Sequence, residues 1–532
     1  MDDTLGRVVA VSGSQIRADI TADQFIGAAL RIGSMLKVRS DDREVVGTIS
    51  AAEVDGHGPA ARIVINLDLL GEIVSSRDQL ARFRRGISRH PSPGAAVRAA
   101  TDADLAAVYV RPSASNVSIG TLYHDPARRA FVLIDELLAK NFAVLGATGS
   151  GKSCAIALML SAILSGHPNA HIIILDPHDE YASAFGERAE FFNVDNLQLP
   201  LWLLDLEEAV GVLVRGGTAQ EQETQAIILK DAIVRARRRH WSGGAATSIT
   251  VDTPVPFAAA DLLRFIDEAM GRLDNPNTSA PYLRLRTRLE SLRTDRRFAF
   301  LFSDTVAVRD VLSRIVGRLL RIPVNGRPLT IIDLSGVPSE ITDVVVSLLC
   351  RLTFNFALWS DRERAPPVLL VCEEAHRYVP ASAPIGFGAT ARAITRIARE
   401  GRKYGVSLAL ISQTPAELSP QVLSQCGTVF AMRLGHYLDQ TFAGATWPDA
   451  VRGMLEILPS LGTQEAFAFG EGVPLPIRIR FADLPPEHRP RSDSAQFSKA
   501  WQDDSGDTEL LDEGIRCWRE QRRKLLYTDL SG

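Results

Sequence analysis

Residues 146–153 read GATGSGKS, preceded by the apolar run NFAVL and followed by CAIALMLSAIL. A glycine-rich loop between an apolar strand and a helix is the context in which such a pattern holds the phosphates of a nucleotide. Gly146, Gly149 and Gly151 let the backbone curl, so that its N–H groups point inward as an anion nest at a helix N-terminus. Lys152 is then expected to reach the β- and γ-phosphates of ATP and the Ser153 hydroxyl to bind Mg²⁺, with Thr148, Ser150 and Cys154 completing the nucleotide contacts. An ordinary glycine turn is the alternative.

Outward from this loop the same rhythm repeats. HIIILD, PLTIIDLSG, PVLLVCEEAH, VSLALISQ and GTVFAMRLG are Val/Ile/Leu runs bounded by Gly, Pro or polar residues. Strands buried on both faces require such runs, so the fold class is α/β, with a parallel sheet covered by helices. Upstream, RVVAVSGSQIRADI, GSMLKVRS, REVVGTISAAEV and ARIVINLDLLGEI are short alternating segments broken by turn residues, which predicts a small N-terminal β-barrel over 1–90. Pro91, Pro93 and Gly94 mark residues 91–140 as the connection into the core, which spans 141–485. Between about 219 and 304 the strands stop and charged helical segments appear, a helical insertion in the core. Residues 486–532 form a polar tail ending in an amphipathic helix around GIRCWREQRRKLLY.

A phosphate loop alone does not separate a kinase, a switch and a motor; a second acidic element decides. VLLVCEEAH ends a buried strand with two carboxylates, of which Glu373 would hold the Mg²⁺ shell and Glu374 would polarise the attacking water. Helix capping is the bland reading of either residue. PLTIIDLSG offers Asp333 as a rival, but Leu334 behind it cannot activate water. Asp176, His178 and Glu180 in HIIILDPHDEY lie at the carboxyl end of a strand, where α/β proteins bind ligands; Asp176 is a nucleotide-site candidate, with capping as the alternative. Gln413, after VSLALIS, can sense the γ-phosphate or be a polar turn residue. In ITRIAREGRKYG, helical spacing puts Arg396 and Arg399 on one face. An arginine inserted from a neighbouring subunit would offset transition-state charge, whereas the same cluster alone would be a solvated basic face.

The 59 Lys and Arg against 63 Asp and Glu leave a formal charge of −4, which excludes a surface coated in positive charge but not a ring with basic groups inside its channel. The densest basic run is RARRRH, with Arg235, Arg237, Arg238 and Arg239, followed by Arg284, Arg286, Arg288 and Arg293; these are the candidates for DNA phosphates, solvated faces being the alternative. The five cysteines lie far apart without CxxC spacing, which predicts buried, reduced thiols and no zinc site. MDDTLGRVV lacks a leader pattern, and the longest apolar stretch, 344–359, carries Arg351 and Asn355 and reads as a buried helix. The expectation is a cytoplasmic protein with no membrane contact.

Taken together, NFAVLGATGSGKS, DPHDEY, IIDLSG, VCEEAHRYVP, AREGRKYG, ISQTP and LPSLGTQEAFAFGEGVPLPIRIRF resemble the HerA-type ATPases of the HerA/FtsK family, over most of the chain. That resemblance implies a RecA-like P-loop core and a homohexameric ring hydrolysing ATP between subunits while double-stranded DNA passes through the channel. Lys152 and Ser153 match the Walker A lysine and serine, Glu373 and Glu374 the Walker B pair, and Gln413 the sensor. Arg399 is the first choice for the trans-acting finger and Arg402 the second. Many relatives have Asp at position 373, so Glu373 can hold the metal through water. The family also implies a separate partner docking on the barrel face, either a nuclease or another effector such as a sirtuin-like NAD-consuming protein, in DNA end processing or antiphage defence. A ring scaffold that activates an effector with little translocation is the alternative function, and a nucleotide kinase a third.

Overall fold

The computed structural model describes residues 4–40, 43–55, 62–76, 79–241, 243, 248–272, 279–302, 310–382, 388–447, 457–491, 497–502 and 508–519. The chain forms two compact units, residues 1–163 with 411–484 and residues 164–410 with 485–532.

The first unit begins with seven antiparallel strands, β1 (Thr4–Ser12), β2 (Gln15–Thr21), β3 (Met35–Ser40), β4 (Arg43–Asp55), β5 (Arg62–Ser76), β6 (Gln79–Arg85) and β7 (Ala96–Ala99). They run in the order β2-β1-β7-β3-β4-β5, and β5 pairs back onto β2, closing a six-stranded barrel to which β6 adds on β5. Closure removes the exposed edges that short strands would otherwise present. Alternation builds the interior: in QIRADIT, Ile16, Ala18 and Ile20 point inward and pack with Leu36, Val38, Val45, Ile49, Ile65, Leu67 and Val97.

The barrel therefore extends beyond residue 90, the boundary expected from the sequence. β7 follows the Pro91–Gly94 bend, and its four residues are too few to show alternation, yet they join β1 to β3. The stretch 91–140 is likewise not a plain connection. It contains β8 (Asn116–Leu122) and β9 (Arg129–Leu133), a hairpin whose partner strand lies far along the chain.

The remaining strands are β10 (Phe142–Leu145), β11 (His171–Asp176), β12 (Ala189–Phe192), β13 (Leu329–Asp333), β14 (Val368–Cys372), β15 (Val406–Ser412), β16 (Thr428–Ala431), β17 (Glu465–Gly470) and β18 (Ile477–Phe481). In the second unit the order is β12-β13-β11-β14-β15, all parallel. In the first unit β10 pairs with β16 in parallel, and β17, β18, β8 and β9 follow antiparallel. The expected parallel sheet is thus present, with an antiparallel addition; the short connection between β17 and β18 permits nothing else, since a parallel crossover needs a dozen or more residues.

The helix Ser339–Trp359 is long and apolar enough to span a bilayer, but 67% of its apolar window is buried inside the fold. Its single arginine, Arg351, explains itself: it donates to Glu208 at 2.6 Å and lies 3.2 Å from Asp205, so the charge enters the core already paired.

The insertion is helical, as expected, with Ala219–His240, Ala259–Met270 and Ala280–Thr294. Thr218 and Glu221 form a capping box at the start of the first helix. Its basic runs are largely stitched to acids within the same unit. Arg235 donates to Glu268 at 2.9 Å, Arg239 lies 3.9 Å from Asp261, Arg284 pairs with Glu221 at 2.8 Å, Arg286 with Asp267 at 3.1 Å and Arg288 with Glu340 at 3.0 Å.

Arg237 corrects one expected DNA contact. It is 1% exposed, and its guanidinium donates to the carbonyls of Val251, Trp202 (3.1 Å) and Leu204 (2.9 Å), beside the Phe257 ring. Packing turns Ala236 and Arg237 of RARRRH inward, and Arg237 is the one arginine of the run that is buried. Arg238 is exposed.

Two of the five cysteines, Cys350 and Cys372, are buried, as expected, and burial pushes the Cys372 thiol up to about 12; Cys154, Cys426 and Cys517 are only partly buried. Of the expected tail helix, Thr508–Arg519 is formed, and residues 520–527 lie outside the described residues.

Removing the Arg237 side chain leaves three buried carbonyls without their donor. Arg237→Ala should lower the unfolding free energy by about 3 kcal/mol in a urea titration, whereas exposed Arg238→Ala should leave it unchanged. Equal stability of the two variants would show Arg237 to be a surface group.

Candidate active site

In the first unit, β10 is buried throughout and delivers the chain to Gly146. Here the Gly146 N–H donates to the Ser412 carbonyl at the end of β15 (3.2 Å), and Ala147 N–H to Arg433 (2.8 Å). A Cβ on Gly146 would sit 2.8 Å from both Met432 Cβ and Ser150 Oγ, so only glycine fits between the loop and the strand behind it. Gly149 (φ +73°) and Gly151 (φ +101°) take the left-handed conformation that other residues resist. Nothing lies within 4 Å of where a Gly149 Cβ would stand, so the outer side of the loop is open.

Lys152 opens the helix Lys152–Gly166, and its Nζ is 3.2 Å from the Ala147 carbonyl, folded back over the loop. The first N–H groups of a helix have no intrahelical acceptor, which makes a helix start a place of positive potential. The Ser150 hydroxyl is buried without a hydrogen-bond partner. These features fit the phosphates of a nucleotide. Ser153 and Cys154 in the first turn are half-buried, and the Thr148 hydroxyl donates to the amide oxygen of Gln413, which ties the loop to the end of β15.

In the second unit, parallel register aligns the strand ends. Asp176 on β11 lies opposite Asp333 on β13, and Leu175 lies opposite Cys372 on β14, just before Glu373. Asp333 accepts the N–H of Ser335 in its own turn (2.8 Å). Asp176 is fully buried and accepts the N–H groups of His178 (3.1 Å) and Tyr181 (2.9 Å), the geometry of a turn cap. Burial pushes its carboxyl up to about 7, against the pull of those two N–H groups, and Asp179 and Glu180 add repulsion.

Glu373 and Glu374 are both 3% exposed. The Glu373 carboxylate accepts a 2.6 Å hydrogen bond from the Tyr181 hydroxyl, and its N–H donates to Leu175 (3.3 Å). Glu374 sits at φ +53°, a left-handed conformation that costs a non-glycine residue roughly 1–2 kcal/mol. Its Oε2 is 3.2 Å from Nδ1 of His376. Such strain is held where a side chain must be aimed: the kink turns two successive carboxylates in different directions, one toward Tyr181 and the other toward His376. Among the described residues no cluster of three or more His, Cys, Asp or Glu forms a metal site of its own.

The helix Gly388–Glu400 carries Arg396 and Arg399, and the single turn Gly401–Tyr404 that follows it carries Arg402. Arg396 stacks over Phe354 (4.6 Å) and pairs with Glu400 (3.5 Å), while Arg399 and Arg402 are exposed. Sequence reasoning assigned no role to Tyr181 or His376, although both stand in the motifs that carried the resemblance.

Residues 117–353 match the family model described as Helicase HerA, central domain. That segment is similar to a HerA-type central domain. The match takes in the phosphate loop, Asp176 and Asp333 but ends before Glu373. The DNA double-strand break repair helicase HerA of Pyrococcus furiosus is 24% identical over 445 residues, 77% of this chain and 75% of that one. A probable DNA double-strand break repair helicase HerA of Methanocaldococcus jannaschii is 24% identical over 503 residues, covering 85% and 91%. Among solved structures, VirB4 of Thermoanaerobacter pseudethanolicus gives a TM-score of 0.49 at 17% identity, covering 71% of this chain and 99% of that one. The chain is a P-loop ATPase.

Asp176 generates a pH test. In the folded chain its carboxyl keeps a proton up to about pH 7, whereas an exposed aspartate gives it up near 3.8. Between those values the folded state holds one proton more than the unfolded state, so stability falls as pH rises. Asp176→Asn cannot ionise, and its Tm relative to wild type should improve from about pH 5 to about pH 8 in cation-free thermal unfolding. Parallel Tm–pH curves for the two proteins would mean that Asp176 does not titrate in this range.

Proposed function

We propose that this chain is an ATP-driven DNA translocase acting as a ring of six copies, with ATP bound between neighbours and double-stranded DNA in the channel. The observation that carries the reading is the pair of buried carboxylates at the end of β14, the second held in a strained conformation. A kinase gains nothing from a second glutamate aimed at water, whereas hydrolysis requires one. The relatives named as DNA double-strand break repair helicases support duplex DNA as the track.

In this reading the Gly146–Ser153 loop and Lys152 bind the ATP phosphates. Mg²⁺, when bound, would neutralise the charge that builds on the phosphates. Ser153 and Glu373 would hold it, and Glu374 would accept a proton from the attacking water. Thr148 and Gln413 are hydrogen-bonded, so a shift of the loop on γ-phosphate loss is passed to the end of β15. Exposed Arg399, with Arg402 behind it, is available to a neighbour's γ-phosphate. Arg238, with Arg235 and Arg239 once their acidic partners are exchanged for phosphate, supplies backbone contacts that read no sequence. A separate nuclease, or a sirtuin-like or other effector, docks on the barrel face and performs the chemistry on DNA or its surroundings, in end repair or antiphage defence. The protein works in the cytoplasm.

Lys152→Ala should abolish ATP binding, and Glu374→Gln should bind ATP normally while phosphate release falls at least about 100-fold. Unimpaired turnover by Glu374→Gln in a steady-state assay would remove Glu374 from the role of base. Stimulation of the wild-type ATPase by duplex DNA, together with displacement of a protein roadblock, is expected; ATPase indifferent to DNA would favour a ring that only scaffolds its effector.

Arg399→Ala should lose on the order of 10³-fold in rate. Mixing it with Glu374→Gln should recover hydrolysis, because some interfaces then combine an intact arginine with an intact glutamate. Mixed rings, shown to form, that stay inactive would mean that Arg399 does not act across the interface.

A further inference from the structure

The Glu373 carboxylate is clamped by a residue closed off from solvent. Tyr181 is fully buried, and its hydroxyl has a single proton to donate, which goes to Glu373 Oε2 at 2.6 Å. The phenol has no route to a substrate and cannot take part in chemistry. It is itself fixed from several sides. Its N–H rests on Asp176, whose other oxygen holds His178, so that one buried carboxylate ties together the turn from 176 to 181. From behind, Arg491 N–H donates to the Glu180 carbonyl (2.8 Å) and the Ser183 hydroxyl to the Arg489 carbonyl (2.9 Å). The donor therefore stands still, and the acceptor conforms to it.

A glutamate has one more rotatable bond than an aspartate and loses more side-chain freedom when it is held in one place. A fixed donor on one oxygen removes that freedom in advance and leaves the carboxylate turned as a unit. Hydrogen bonds behind a metal-holding carboxylate act in this way, and their loss commonly costs 10–100-fold in metal affinity.

We propose that Tyr181 is a positioning residue which pre-orients Glu373 and thereby sets the concentration of divalent cation that the nucleotide site requires. The inference rests on the reading above that Glu373 holds Mg²⁺.

The test uses the full chain and a fluorescent ATP analogue, with Mg²⁺ titrated and binding, not turnover, recorded. Tyr181→Phe keeps the ring and removes only the hydroxyl. It should raise the Mg²⁺ concentration for half-maximal binding roughly tenfold, leave binding of the analogue in EDTA unchanged, and unfold within a few degrees of wild type without cation. Glu373→Gln should raise the requirement by itself, and adding Tyr181→Phe to it should raise it no further. Glu373→Asp keeps the charge but withdraws the carboxylate from the hydroxyl, and it should also raise the requirement, a result that stands whether or not Tyr181→Phe folds. An unchanged Mg²⁺ requirement in Tyr181→Phe or in Glu373→Asp, or effects of Tyr181→Phe and Glu373→Gln that add in full, would overturn the positioning role and leave the metal-holding reading intact. If Glu373→Gln itself leaves the requirement at the wild-type value, the metal-holding reading falls, and the role of Tyr181 falls with it.

Discussion

Buried carboxylates have to be satisfied, and at this site the surrounding architecture follows from that requirement. Parallel register carries Asp333, Asp176 and Glu373 to the ends of three neighbouring strands, and the latter two are buried away from solvating water while Asp333 is half-buried. Each is met differently. Asp333 turns to the N–H of its own loop, Asp176 gathers two N–H groups of the turn that follows it, and Glu373 takes the Tyr181 hydroxyl. The three solutions are linked, because the turn that Asp176 holds is the one that carries Tyr181.

The phosphate side meets the opposite problem, a concentration of negative charge brought by the ligand. It is answered by backbone and not by bulk. Gly146 has no room for a Cβ, Gly149 and Gly151 adopt left-handed backbone, and Lys152 folds back over the loop. Because Thr148 reaches Gln413, the loop is also wired to a second strand end within the same unit.

The arginine-rich insertion shows how a charge run and a charge surface differ. RARRRH and LRLRTRLESLRTDRR are the most basic stretches of a chain with a net charge of −4. Five of their ten guanidiniums are met by Glu221, Asp261, Asp267, Glu268 and Glu340, and Arg237 is consumed by three carbonyls. Paired surface charges contribute little stability one by one. As a set they fix how the helices of the insertion sit on one another, and they lower the positive potential that the composition alone suggests.

What the sequence by itself determined is whatever depends on neighbours along the chain. The phosphate loop, the capping box at Thr218, the alternation of β2 and the double glutamate after β14 are local, because backbone curl, helix initiation and strand faces are set by adjacent residues. The tertiary structure alone decided the pairings between distant parts. Tyr181 and Glu373 are 192 positions apart, the barrel closes by β5 returning to β2, the four residues of β7 acquire strand character only from β1 and β3, and β8 finds its partner in β18. RARRRH reads as four equivalent arginines, and only packing selects Arg237 to be buried. Contacts of this kind leave no periodic trace, since the residue that satisfies a buried group is chosen by where the folded chain places it.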